Sequence, residues 1–424
     1  MRRHAANWLE VAERVFHYRR DQLTDPQLQQ LQAVRGDLKL RLKEKADPGR
    51  LKLGIEKLES VLEKTGGRHY PANSIMENVE FFLVAAMVIL GLRAYFVQPF
   101  KIPTNSMWPT YYGMTHEVIK PGQEPNLLER AGRFLAFGAV RHEAIAPADG
   151  EVYLGVAADY SPAATLVGTR SFIFFPSTAV EYYFSVGNEV AKIQVPVDFN
   201  FYKLLDGEFR GQAPSLRAAL QTRLIHDGGR PESSIISSAQ SGRGSDMRVF
   251  WLPLGRQVRK GEKIVSFDIL TGDLLFVDRL TYNFFPPKTG QGFVFKTDNI
   301  HSPYMEKPVG TQIKQYYIKR LVGEPGDILE VKAPVLWRNG QPITGAEAFN
   351  RNAHHDGKYP GYYNFGMLEA GVRLTIPAHN YFAMGDNSPE SADSRYWGFV
   401  PEKDVVGRPL FIYYPLTGRW GPAR

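Results

Sequence analysis

Hydrophobic and polar positions follow a different rhythm in each part of the chain. In residues 1–70 charged residues alternate with leucine-rich runs, and Trp8, Leu9, Val11, Ala12, Val15 and Phe16 recur at helical spacing. Leu51, Leu53, Ile55, Leu58, Val61 and Leu62 do the same among Lys and Glu. Asp47-Pro48-Gly49 separates the two runs. The pattern predicts short amphipathic helices over residues 1–78, packed on each other or lying on a membrane.

Residues 79–99 turn apolar. A bilayer needs about 20 apolar residues to span it, and the uninterrupted run over 81–92 is shorter than that. Ala94-Tyr95-Phe96-Val97 extends it beyond Arg93, whose long side chain can carry its charge to the interface. One membrane anchor over 79–99 is expected, with a buried core helix as the competing reading. A cleaved signal peptide does not fit a segment that 78 charge-rich residues precede. Lys52, Lys57, Lys64 and Arg68 lie upstream, so the excess of cations predicts a cytoplasmic N-terminus and an extracytoplasmic remainder.

Residues 111–271 read as β-rich, with aromatic and β-branched runs such as Ser171-Phe172-Ile173-Phe174-Phe175. The polar stretch 231–244, rich in Ser and Gly, reads as a mobile loop. Residues 146–152, taken with 258–262, faintly resemble paired strands of a biotinyl or lipoyl carrier, without the attachment lysine in its context. Beyond residue 271 the strand signals sharpen. Gly272-Asp273 feeds an apolar run, Gly292-Phe293-Val294-Phe295-Lys296 forms a second, and Tyr316-Tyr317-Ile318-Lys319-Arg320-Leu321-Val322 leads into a tight turn. Glycines and small polar residues then crowd residues 383–398, which implies close backbone approach and buried hydrogen bonds.

Composition narrows the chemistry. A net charge of +7 suits an anionic membrane surface better than nucleic acid. The chain has no cysteine, which excludes disulfides, thiolate catalysis and cysteine metal sites. Ser106 stands between Pro103 and Pro109, where the prolines should hold it on a stiff, extended path at the end of the apolar segment. A serine nucleophile needs a base. The ten histidines are scattered, and His354-His355 lies in a polar loop. A desolvated lysine can serve instead, because burial disfavours its charged form. Lys319, on an apolar strand, is the best placed; Arg320 should point to the opposite face of that strand.

Three motifs occur in order behind the anchor: Ser106-Met107-Trp108-Pro109-Thr110, then residues 319–327, then Gly385-Asp386-Asn387 with Ser391-Ala392-Asp393-Ser394-Arg395. Together they resemble the bacterial type I signal peptidases, over residues 79–110 and 272–415. The resemblance implies a mainly β fold: a catalytic core over 100–110 and 272–424, an inserted β-ribbon over 331–380, and a single transmembrane helix after the helical N-terminal region. It makes Ser106 the nucleophile and Lys319 the general base of an endopeptidase cutting signal peptides from exported preproteins after small residues. The Ser106 backbone N–H and the Thr104 hydroxyl would form the oxyanion hole. Ser391 would orient the lysine, Gly385 would leave room for its chain, and Asp393 and Arg395 would form a supporting ion pair. Phe100, Ile102, Pro103, Tyr317 and Ile318 would wall the pockets that exclude large side chains. No cofactor or metal is implied; the partners would be preproteins and the lipid bilayer of the bacterial inner membrane, not nucleic acid.

Three features depart from that family. About 160 residues separate Thr110 from Gly272, Gly290-Gln291-Gly292 stands where a Gly-Asp pair precedes a strand, and the N-terminal region is long. The insertion over 111–271 lies between motifs that must converge, so it should leave and return through nearby points. Its partner does not follow from the sequence. Competing readings are a Ser-Lys autoprotease of the SOS-repressor type and an inactive membrane scaffold.

Overall fold

A computed structural model describes residues 1–67, 70, 74–171, 175–226, 232–237, 246–305 and 315–423. The chain divides into two compact units, residues 1–92 and 93–424.

In the first unit, α1 (Arg2–Arg19), α2 (Asp25–Lys43) and α3 (Pro48–Thr65) bury Ala12, Val15, Leu31, Leu38, Leu58 and Leu62 among themselves. The helices pack on each other, and α2 is an element that the two apolar runs did not reveal. Thr24 and Gln27 form a capping box at its start, and the Asp47 carboxylate accepts from the N–H groups of Gly49 and Arg50 to begin α3. Leu53 stays 55% exposed, because it lies two residues from Leu51 and so points off the buried face.

Helix α4 (Ser74–Tyr95) is apolar on all sides between Glu80 and Arg93, with Phe81, Phe82, Met87, Ile89 and Leu90 exposed. It holds the one helix stretch among the described residues, Asn78–Tyr95, long and apolar enough to cross a membrane. Its 22 residues reach about 33 Å at 1.5 Å per residue. The apolar segment over 79–99 is therefore split: the helix ends at Tyr95, and Val97–Lys101 is already a strand, paired with Leu274–Asp278. Pro99 tolerates this because the strand lies at the edge of its sheet.

The second unit is mainly β. Its eight-stranded antiparallel sheet runs Val97–Lys101, Leu274–Asp278, Val405–Tyr414, Gly292–Lys296, Tyr316–Gly323, Asn380–Met384, Val400–Pro401, with Gly421–Pro422 added beside Val405–Tyr414. Phe293, Phe295, Leu321, Tyr381 and Trp397 fill one part of its core; Ile102, Met107, Leu275, Val277 and Val294 fill another. The ribbon begins earlier than residue 331, at strand Ile328–Lys332. It adds a helix, Glu347–Ala353, because Phe349 and Tyr362 pack with Leu329 and Leu336 against Val322, Phe382 and Met384 of the eight-stranded sheet.

The insertion builds two sheets. Thr115–Val118 and Lys263–Leu270 are hydrogen-bonded neighbours, so the insertion leaves and returns through adjacent strands. Lys263–Leu270 also pairs with Val140–Ile145. A six-stranded sheet follows, in which Gly150–Val156 pairs with Asp246–Val258. The two carrier-like stretches do meet here, with the Ala146 N–H donating to the Glu262 carbonyl and the Lys260 N–H to the Asp149 carboxylate. Three helices that the β-rich reading missed, Leu127–Phe137, Phe201–Phe209 and Leu216–His226, lie within it. Within the polar stretch 231–244, Glu232–Ser237 is a strand rather than a loop, paired with Asp246–Val258 and anchored where Trp251 Nε1 donates to Ser234 Oγ. Residues 231 and 238–244 of that stretch, and 172–174 of the aromatic run, lie outside the described residues.

Candidate active site

The segment after the first strand crosses the sheet and turns sharply. The N–H of Ile102 donates to the Asp273 carbonyl, and the N–H of Met114 to the Pro103 carbonyl. Ser106 sits in a single 3-10 turn, Asn105–Met107, flanked by extended backbone at Thr104 and Trp108. The prolines therefore do not keep the serine itself extended. Proline restrains the residue before it, here Ile102 and Trp108, and leaves Ser106 free to turn. Asn105 pins the turn: its amide donates to the Met114 carbonyl and its Oδ1 accepts from the Gly113 N–H.

Lys319 comes from strand Tyr316–Gly323, 213 positions later. Its Nζ lies 2.6 Å from Ser106 Oγ, and both residues are buried. Burial lowers the lysine pKa from 10.5 to about 8; the Asp393 carboxylate raises it, and the Arg395 guanidinium lowers it further. Thr104 Oγ1 lies 3.5 Å from Ser106 Oγ.

The third motif backs this pair. The Asn387 N–H donates to the Ser106 carbonyl, and the Asn387 amide donates to the Asn105 carbonyl. Asp393 and Arg395 form a fully buried ion pair, 2.7 Å apart, in which Arg395 also donates to the Ser388 and Tyr363 carbonyls. Asp393 Oδ2 accepts from the Gly385 N–H. A Cβ at Gly385 would run into Ser391 Oγ and the Ser106 carbonyl oxygen. The nearest claims on that space are thus the serine backbone and Ser391. The Ser391 hydroxyl is buried and makes no hydrogen bond among the described residues, so its expected bond to Lys319 is not formed in this arrangement.

Arg320 faces away from Lys319. Its guanidinium meets the Asp386 carboxylate in a two-pronged pair, at 2.7 and 2.6 Å, and donates to the Gly290 carbonyl. Thr110 Oγ1 donates to the same carboxylate. Gly290 adopts a positive φ of 95°, and its carbonyl closes the fork, which gives the departing Gly-Gln-Gly turn a structural place. This Thr110–Asp386–Arg320 cluster, which ties the end of the serine segment to the lysine strand, was not anticipated. Its one trace in the sequence was Asp386 between Gly385 and Asn387.

Phe100, Ile102, Pro103, Tyr317 and Ile318 line a single cleft of about 620 Å³ that opens onto Ser106, Lys319 and Thr104. Gly385, Ser391, Asp393 and Arg395 are not among the residues that line it. Glu390 and, from the insertion, Asp198 also line the cleft; no local signal in the sequence pointed to Asp198. Among the described residues no cluster of side chains is arranged to hold a metal ion.

The chain is similar in sequence to known proteins. A family model described as signal peptidase, peptidase S26, matches residues 263–414. A probable signal peptidase I-1 of Synechocystis is 33% identical over 150 residues, covering 35% of this chain and 66% of the relative, so the chain spans just under two thirds of that protein's length. Signal peptidase I of Bacillus caldolyticus is 30% identical over 149 residues, which cover 34% of this chain and 72% of the relative. The structure of a signal peptidase I from Enterococcus faecalis is 27% identical and covers 29% of this chain and 97% of its own, with a TM-score of 0.21. The family-matched span contains Lys319, Gly385, Ser391, Asp393 and Arg395, while Ser106 precedes it on the far side of the insertion. By these matches, the chain belongs to the signal peptidase family, peptidase S26.

Proposed function

We propose that the protein is a membrane-anchored serine endopeptidase that removes signal peptides from exported preproteins, with Ser106 as nucleophile and Lys319 as general base. The observation that carries this reading is the buried 2.6 Å contact between Lys319 Nζ and Ser106 Oγ. An uncharged amine there accepts the hydroxyl proton as Oγ attacks the scissile carbonyl carbon. Negative charge then develops on the carbonyl oxygen, where the Ser106 N–H and the Thr104 hydroxyl donate to it. The lysine returns its proton to the departing amine, and an acyl-enzyme remains on Oγ. In the second half, a water molecule gives a proton to the Lys319 amine and attacks the acyl carbon; the bond from that carbon to Oγ breaks, Lys319 returns the proton to Oγ, and the signal peptide leaves with a new carboxyl end.

The apolar side chains of Phe100, Ile102, Pro103, Tyr317 and Ile318 line the cleft, and in this reading they favour small side chains at the first and third residues before the cut by excluding larger ones. In this reading helix α4, long and apolar enough to cross a membrane, is the anchor, and the excess of cations upstream supports a cytoplasmic N-terminus with the cleft outside, at the bacterial inner membrane.

The test uses the full chain in detergent and a purified precursor. Ser106→Ala should abolish cleavage while leaving the circular dichroism spectrum and thermal transition of the native protein. Cleavage by that variant at more than a hundredth of the native rate would remove Ser106 from the mechanism.

A further inference from the structure

The insertion reaches the cleft. Strand Glu189–Pro196 ends in a short turn that leads into helix Phe201–Phe209, and Asp198 lies in that turn. Its neighbours fix it. Phe199 is 5% exposed and stacks on Phe267 with ring centroids 5.8 Å apart, and Phe201 is fully buried beside Tyr182 at 4.5 Å. The Phe199 N–H donates to the Pro196 carbonyl, and Asn200 caps the helix through the Lys203 N–H. One turn further on, Lys203 Nζ donates to both oxygens of Glu390, at 2.7 and 2.9 Å, in the residue next to Ser391. That ion pair is half exposed and adds little stability by itself. The aromatic anchors hold the turn rigidly, and the ion pair marks where it meets the loop beside the dyad.

Asp198 is exposed at the cleft and makes no ion pair or hydrogen bond among the described residues. Its charge acts on both walls. It partly offsets the lowering of the Lys101 pKa by burial, and it adds to the rise that burial imposes on the Tyr317 phenol. An extended substrate turns alternate side chains to opposite sides. If its first and third residues before the cut enter the apolar wall, its second and fourth turn outward. Asp198 lines the same cleft from the side that the insertion builds, together with Lys101 and Glu390, and so offers a carboxylate to substrate residues that do not enter the apolar wall.

We propose that Asp198 is a specificity-determining residue, by which the insertion selects substrates carrying lysine or arginine at the second or fourth residue before the cut and rejects those carrying a carboxylate there. This rests on the endopeptidase reading above, and the experiment separates the two. Peptides identical except for Lys, Gln or Glu at each of these positions are offered to the full chain in detergent at low salt. The native enzyme should cut the Lys peptide with a kcat/KM about tenfold above that of the Glu peptide at one of the two positions. The ratio should fall to about one in Asp198→Asn, invert in Asp198→Lys, and shrink in 0.5 M salt as exposed charges are screened. Binding of the same peptides to Ser106→Ala should show the same order without any turnover. A Lys-to-Glu ratio near one at both positions in the native enzyme, or one that survives Asp198→Asn, overturns the role of Asp198. Cleavage of the Gln peptide that persists in Ser106→Ala would overturn the nucleophile assignment instead.

Discussion

Replacing Lys319 by methionine should inactivate the protein and at the same time make it more stable at neutral pH. The lysine is buried, and its pKa falls from 10.5 to about 8. At 1.36 kcal/mol per pKa unit, holding the ammonium in the folded state costs about 3 kcal/mol. The sign follows from the proton count. Between pH 8 and 10.5 the unfolded chain keeps a proton that the native state has lost, so native stability rises with pH through that window. At pH 7 nearly all of the cost is present. Methionine removes it but also removes the hydrogen bond to Ser106, worth about 1 kcal/mol, so Lys319→Met should gain about 2 kcal/mol at pH 7. Urea unfolding of the detergent-solubilised chain at pH 7 and pH 10 measures both values; at pH 10 the advantage should vanish. Below that window kcat/KM of the native enzyme on a short peptide should climb about tenfold per pH unit up to about pH 8, and then level off. Lys319→Arg should be as inactive as the methionine variant, because guanidinium stays charged. A rate that is flat from pH 6 to 9, or activity retained in Lys319→Arg, would show that another group takes the serine proton.

Gly385→Ala should lower kcat/KM by at least a hundredfold, because the new methyl group displaces the Ser106 carbonyl and Ser391 and misaligns the nucleophile; native-like turnover would show that the turn can yield. Asp386→Ala should destabilise the protein by about 3–5 kcal/mol, since it leaves the Arg320 guanidinium buried without its carboxylate. A loss under 1 kcal/mol in urea unfolding would mean that Gly290 and Thr110 suffice to hold that charge.

The chain's local chemistry determined a good deal without any structure. The apolar run that becomes α4 is legible because a span needs only length and composition. The strand carrying Lys319 and the opposed direction of Arg320 follow from the two-residue period of a β-strand, which involves no distant partner. The return of the insertion beside its departure follows from chain continuity. The tertiary structure decided what depends on groups far apart in sequence. Ser106 enters a turn because the Asn387 N–H holds its carbonyl and the Asn105 side chain ties the turn to Gly113 and Met114, and none of these contacts has a spacing to read. Gly385 is reserved for Ser391 and the Ser106 carbonyl because three segments converge on one point. Helices Phe201–Phe209 and Leu216–His226 of the insertion, and α2 in the first unit, are short elements stabilised by burial against partners distant in sequence, which local propensity does not register. Asp198 is the clearest case. One carboxylate among the 44 acidic residues of the chain acquires its place at the cleft only when Phe199 and Phe201 pack into a core built from strands before and after it.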